Sequence, residues 1–323
     1  MARRRKKHPG AALATVCGGL VLGAAILWQL AGGAALPPLE DLAESLREYL
    51  TQPVSGPPSQ EAPPAPVEGE LRVHMIDVGQ GDSLLIQTED QAVLIDSGEE
   101  EYGDTVSAYL ESQGVEQLDL VVATHPHSDH MGSMAQIVEE WQVDQFLMPV
   151  VPQDLTPTSQ VYEDLLTALE EKELSIAQPE TGAVYDLGDG ASLTILAPVD
   201  QYDDLNNWSI VCRLDYGETS FLFTGDAEKA VERDLLEAGA DLDADLLKVG
   251  HHGSSTSTGK TFLEAVSPQY GLISCGMGNR YGHPNEETLD TLEEAGVEVY
   301  RTDISGSIVA LSDGETITIT TQQ

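Results

Sequence analysis

One stretch of the 323-residue chain concentrates metal-binding chemistry: His125-Pro126-His127-Ser128-Asp129-His130 places three imidazoles and a carboxylate within six residues. Imidazole nitrogens suit Zn²⁺ and its neighbours, and a carboxylate oxygen suits harder ions, so this spacing reads as a metal loop rather than as surface histidines. Six residues in one loop cannot surround two ions, and two later places supply the remainder. Asp226 closes residues 220–226 (SFLFTGD), where a strand end would let its carboxylate bridge two cations, and His251-His252 open the turn after residues 245–249 (DLLKV). Such groups at the tips of separate strands describe a binuclear hydrolase site, in which paired divalent ions activate water and polarise a phosphoryl or acyl group. His283, in Tyr281-Gly282-His283-Pro284, would give a proton to the leaving group or touch a phosphate oxygen. Lys248, Ser254 and Arg280 lie near these motifs as possible phosphate contacts.

The motifs need a frame of strands. Apolar alternation marks strands over 71–78, 83–87 and 92–96, a helix over 105–113, and a buried strand at 118–124 that feeds the histidine loop. Further strands are expected at 193–196, 210–214, 220–223, 246–249, 270–274 and 307–311, so three of the metal-binding motifs follow a strand directly. Mixed strands and helices at this length argue for a layered α/β domain over 70–323, with two halves of similar βα character conceivable. His74 reads as an edge-strand residue, and Cys212 and Cys275 as core thiols.

Ahead of this domain the organisation changes. Residues 1–10 form a basic tail carrying Arg3, Arg4, Arg5, Lys6 and Lys7; the uncharged run from Ala11 to Leu30 follows, ending a segment 11–31. Its 20 residues, at ~1.5 Å each, would span a hydrocarbon core of roughly 30 Å. Positive charge before the run places the N-terminus in the cytoplasm and the rest outside. The expectation is therefore a single-pass membrane anchor, or a cleaved signal peptide that would make the domain secreted. Residues 32–69 read as a spacer, with six prolines between Gln52 and Glu68.

The chain has a formal net charge of −40. The first 69 residues hold six basic and six acidic residues, so the whole charge belongs to the domain from Glu70 onward. Polyphosphate is held by surplus Lys and Arg, which argues against a nucleic-acid-binding domain as such. A disulfide scaffold is excluded by three widely spaced cysteines.

Six segments in order, DVGQGDS (77–83), VLIDSG (93–98), THPHSDHMG (124–132), FLFTGD (221–226), LLKVGHHGS (246–254) and NRYGHP (279–284), resemble the metallo-β-lactamase fold. They are similar in particular to the C-terminal hydrolase domain of ComEC-type DNA-uptake competence proteins, and the resemblance covers about residues 70–320. It implies a four-layer αββα sandwich with metals in a cleft between the sheet edges. It further implies that His125 and His127 hold a first ion, that Asp129 and His130 hold a second, and that Asp226 bridges them. One of His251 and His252 would complete the ligands of the second ion, with His251 preferred, and Asp96 would sit beneath the loop as an orienting carboxylate. Asp129 would also help to orient the attacking water.

One departure from the superfamily pattern stands out. A histidine is expected just before the strand leading to Asp226, yet none occurs between His130 and His251, and Asn206-Asn207-Trp208-Ser209 stands at that point. This leaves the first ion with fewer imidazoles and implies Mn²⁺ beside Zn²⁺, with Asn207 or Asp82 as an oxygen donor. The resemblance points to an exported, membrane-anchored phosphodiesterase or nuclease acting on DNA or on small phosphodiesters, the latter favoured by the acidic charge. The alternatives are a hydrolase of another ester or a lactam, and a non-catalytic surface binding module.

Overall fold

The computed structural model describes residues 69–322. The basic tail, the apolar run and nearly all of the spacer lie outside the described residues. Among the described residues no helix is long and apolar enough to cross a membrane.

The domain is built on two sheets. In chain order the strands are β1 (Leu71–Met75), β2 (Leu84–Gln87), β3 (Ala92–Ile95), β4 (Leu118–Val122), β5 (Val143–Leu147), β6 (Ile176–Ala177), β7 (Val184–Asp186) and β8 (Ala191–Ala197). They continue with β9 (Val211–Tyr216), β10 (Thr219–Phe223), β11 (Leu246–Lys248), β12 (Tyr270–Ile273), β13 (Glu298–Arg301), β14 (Ile308–Ser312) and β15 (Ile317–Thr321). The first sheet has the order β15-β14-β1-β2-β3-β4-β5-β6 and the second β13-β12-β11-β10-β9-β8-β7.

The two halves share one plan. Pairing is antiparallel from β15 to β3 and parallel from β3 to β6; it is likewise antiparallel from β7 to β10 and parallel from β10 to β13. The change of direction falls at β3/β4 and at β10/β11. Helices cross over between parallel strands, because strands running the same way cannot be joined by a hairpin.

Side-chain alternation sorts the sheets into layers. In β3, Val93 and Ile95 enter the core between the sheets while Leu94 turns to the outer face. Phe221 and Phe223 of β10 meet them from the second sheet, and Leu222 faces outward. The outer face of the first sheet is covered by helices Gly103–Ser112, Met134–Glu140 and Gln160–Glu171, through Val106, Ile137 and Leu165. Helices Lys229–Ala238, Lys260–Val266 and Glu286–Glu294 cover the second through Val231, Phe262 and Leu292. The result is the four-layer αββα arrangement. Cys212 lies between the sheets and Cys275 on the outer face of the second, both as free buried thiols.

His74 departs from its sequence reading. Strand β1 lies inside the first sheet between β14 and β2, because the last two strands return to complete that sheet. His74 is fully buried and its Nδ1 lies 3.1 Å from the Tyr109 hydroxyl; burial, aided by Arg72, pushes its imidazole down to about 3.

Candidate metal centre

Parallel neighbours end on the same edge of a sheet, so the residues just past their C-terminal ends are brought side by side. Asp96 follows β3, His125 follows β4 after two residues, Asp226 follows β10, and His251 and His252 follow β11. All stand at the two places where the pairing changes direction. The sequence folds this way locally because the strands are short apolar runs buried on both faces, each released into a polar turn.

Asp96 adopts the left-handed backbone (φ 58°), which its short polar side chain tolerates. There its carboxylate accepts hydrogen bonds from the Thr124 amide at 2.8 Å and the Thr124 hydroxyl at 2.7 Å, and His130 Nδ1 lies 2.8 Å away. His130 Nε2 is thereby turned to Asp226 Oδ2, at 3.3 Å. Ser209, fully buried, ties the two sheets together: its hydroxyl accepts from the Asp226 amide at 3.0 Å and lies 3.3 Å from His125 Nδ1.

The side chains fall into two sets. In the first, His125 Nε2 faces His127 Nδ1 at 2.9 Å. Two ring nitrogens held this close are placed to share one ion, which His125 and His127 would hold between them. In the second, Asp129, His130, Asp226 and His252 each offer one ligand atom, all within 4.8 Å of one another. His130 Nε2, His252 Nε2 and Asp226 Oδ1 are buried without a hydrogen-bond partner. Orphaned buried acceptors and donors converging on one point are costly unless something else satisfies them, and a divalent cation fits this donor set.

Both histidines of the 3₁₀ turn Gly250–Gly253 take left-handed backbone conformations (φ 48° and 54°), a strain typical of functional sites. This separates their roles and corrects the preference for His251 in the second set. The buried His252 has Nδ1 3.0 Å from the Ser274 carbonyl and 3.3 Å from Asp82, leaving Nε2 3.4 Å from Asp129 and 3.6 Å from Asp226. His251 is partly exposed, with Nδ1 3.2 Å from Thr256 Oγ1 and Nε2 3.5 Å from Asp226. Nε2 of His251 therefore approaches Asp226 from the cavity side.

The charges are strongly coupled. Burial opposes charge on Asp226, but His130, His252 and His251 hold it well below the usual carboxylate range. Burial also opposes charge on His252, yet the carboxylates of Asp226 and Asp82 hold its imidazole up at about 10, and His130 is held high by Asp226 and Asp96. Burial keeps His125 far below the normal imidazole range. Burial and the neighbouring His251 and His252 lower His283 to about 4.

Several expected contacts are corrected. Lys248 is fully buried, paired with Asp82 and donating to the Gly225 carbonyl at 3.0 Å, so it cannot reach a substrate phosphate. Asp82, in turn, pairs with Lys248 and lies 3.3 Å from His252 Nδ1, and with Asp96 and His130 it forms a further buried set that could hold an ion. Asn207 Oδ1 accepts from the Glu228 amide at 3.1 Å, which anchors the residue just ahead of the helix Lys229–Ala238. Ser254 is buried and its hydroxyl lies 3.0 Å from that of Thr256. The expectation for Arg280, by contrast, is not overturned: the residue stays at the surface, 4.8 Å over the Tyr281 ring, on the wall of a groove that shares Gln80 and Asp129 with the cavity.

The metal-binding groups open into a cavity of about 280 Å³ whose wall includes Gln80, His127, Asp129, Asn206, His251 and His283. Gln80 and Asn206 are absent from the sequence expectations. Gln80 lies in the DVGQGDS turn, and its amide is oriented by the Gly276 N–H on Oε1 (3.2 Å), leaving Nε2 3.5 Å from His283 Nδ1. The Asn206-Asn207 doublet carried the signal for the second, without showing which residue faces inward.

The chain matches the family model described as "Metallo-beta-lactamase superfamily" over residues 76–277. It is similar to ComE operon protein 3 of Bacillus subtilis (strain 168), with 33% identity over 264 residues covering 75% of this chain and 33% of that protein. Competence protein ComA of Neisseria gonorrhoeae is 31% identical over 256 residues, covering 76% of this chain and 33% of its own. The chain thus spans about a third of the length of these curated relatives. Among solved structures, the metallo-beta-lactamase fold protein YhfI from Bacillus subtilis aligns with a TM-score of 0.47 and 13% identity, covering 71% of this chain and 96% of that one. With its fold, its cluster of histidines and carboxylates and a family match over most of the domain, the chain belongs to the metallo-β-lactamase superfamily, as a metal-dependent hydrolase related to competence proteins.

Proposed function

We propose that this chain is a two-ion phosphodiesterase that cleaves DNA or, in better accord with its charge, short phosphodiesters. The observation that carries this reading is the position of Asp226, whose Oδ2 lies 3.3, 3.5 and 3.6 Å from the Nε2 atoms of His130, His251 and His252 and whose charge also acts on His125 and His127. His125 and His127 would hold one ion, Asp129, His130 and His252 the other, and Asp226 both. When bound, divalent ions such as Zn²⁺ or Mn²⁺ supply an activated water and Lewis acidity at the phosphoryl group. Asp129, on the cavity wall and still partly exposed, accepts a hydrogen bond from the attacking water. His283, held neutral by burial and its neighbours, presents an N–H to a phosphoryl oxygen or the leaving group once Gln80 occupies its Nδ1.

Size and charge favour a small substrate. The cavity continues into a groove of about 720 Å³ whose lining combines Arg280 with Asp77, Glu99, Glu101 and Asp129. One cation among four carboxylates admits a short phosphodiester more readily than a long polyanion. The names of the relatives, competence and recombination proteins, favour a nucleic-acid substrate. The basic tail and apolar run at the N-terminus support an anchored, exported domain, which extraction and protease-accessibility experiments on cells would test.

The reading is tested by assaying the purified chain with Mn²⁺ and Zn²⁺ on bis-p-nitrophenyl phosphate, a single-stranded oligonucleotide and nitrocefin. Cleavage of the first two, lost in Asp226→Ala, supports it. Turnover of nitrocefin alone redirects it to lactams, and no metal-dependent turnover by a folded chain overturns it.

A further inference from the structure

The turn before β9 carries an acceptor that no group among the described residues satisfies. Asn206 lies in the 3₁₀ turn Leu205–Trp208, where its amide donates to Asp204 Oδ1 at 2.9 Å and its carbonyl accepts from the Ser209 amide at 3.1 Å. Both backbone groups are therefore committed, and the turn is pinned to the metal-binding loop by the Ile210 amide on the Thr124 carbonyl (2.9 Å) and by Ser209 beside His125. Against this fixed backbone the Asn206 side chain lines the same cavity as His127 and Asp226, and its Oδ1 is buried without a hydrogen-bond partner. A buried amide oxygen left unpaired is unfavourable unless another group satisfies it. The next residue, Asn207, makes the opposite use of its side chain and accepts from the Glu228 amide.

We infer that Asn206 Oδ1 is a ligand of the ion held by His125 and His127, and that it makes this position the weaker, harder-ion site of the pair. The inference rests on the two-ion reading above. The second set gathers two imidazoles and two carboxylates, whereas the first has two imidazoles, a share of Asp226 and this uncharged oxygen. Fewer charges and one amide oxygen in place of a nitrogen lower the affinity for Zn²⁺ and narrow its advantage over Mn²⁺. Occupancy of the first position then follows the supply of free ion, while the second stays filled.

Equilibrium titration of the chelator-stripped full chain with Zn²⁺ and with Mn²⁺ tests this, with metal content after desalting as an independent readout. The parent should bind two ions in separable events. In Asn206→Ala the weaker event should weaken by at least about tenfold and the tight one stay within twofold, whereas Asn206→His should tighten the weaker event for Zn²⁺ and leave Mn²⁺ behind. Unchanged weak binding in Asn206→Ala overturns the inference alone, as does equal weakening of both events, which marks a packing role for the turn. A parent that takes up one ion or none overturns the two-ion reading and this inference with it.

Discussion

Asp96 Oδ2 accepts the Thr124 hydroxyl proton at 2.7 Å and lies 2.8 Å from His130 Nδ1. A hydroxyl has one proton to give, so Thr124 Oγ1 offers His125 Nδ1, 3.1 Å away, only a lone pair, which suits a proton on that nitrogen. One carboxylate thereby sets the tautomer of two histidines, one in each set, and frees both Nε2 atoms. Asp96→Asn should weaken both metal-binding events by about 10–100-fold. The fold should survive, because asparagine also tolerates the backbone at φ 58°. Metal titration beside circular dichroism checks both halves of this expectation.

The two histidines of the GHHG turn should respond differently. His252→Ala removes a buried member of the four-ligand set and should cost at least about a hundredfold in affinity for the tighter ion, more than a supporting residue costs. His251→Ala, at the partly exposed cavity wall, should cost far less in affinity. Equal losses in the two variants would contradict the assignment of His252.

Lys248 and Asp82 form a buried ion pair joining the first hairpin to the second sheet. Lys248→Met leaves the buried Asp82 with only the His252 and His130 imidazoles as counter-charges, and should destabilise the metal-free domain by up to about 3–5 kcal/mol. Adding Asp82→Asn should recover most of that stability in urea unfolding. It should not restore metal affinity, since Asp82 also faces His252 Nδ1 at 3.3 Å.

Glu232 provides a pH signature near neutrality. Burial raises its carboxyl from 4.5 to about 7, against the pull of the Gly259 and Thr258 amides that it accepts and of Lys229. The folded state thus keeps a proton that the unfolded state has lost between about pH 4.5 and 7. Its contribution is full below that window and is lost as the pH rises through it, by about 3 kcal/mol. Denaturation of the parent and of Glu232→Gln as a function of pH should show this slope only in the parent.

Much of the frame was legible because the strands that present the site are apolar runs buried on both faces. LDLVV, TSFLF and LLK each end in a turn bearing the metal-binding residues, so motif and element coincide. Strands β5 and β13 were not, since Asp144 and Gln145 of β5 are exposed and the EVYR of β13 has no fully buried side chain. The alternation in the ITITT of β15 was there to be read. The inward turn of Lys248 depends on Asp82, far away in sequence. The choice between His251 and His252 depends on a left-handed backbone that histidine does not advertise.

The return of β14 to lie beside β1, with Leu71 opposite Ser312, orders events in time. Until the last strands have been synthesised, β1 is the outermost strand of its sheet and presents unpaired N–H and C=O groups. Contacts between the two ends of a domain are won late, because the chain must close its longest loop before they repay it. Assembly of this domain is therefore slow and waits for its C-terminus, and a chain stopped before Ile308 carries an open, adhesive edge that recruits chaperones or other chains.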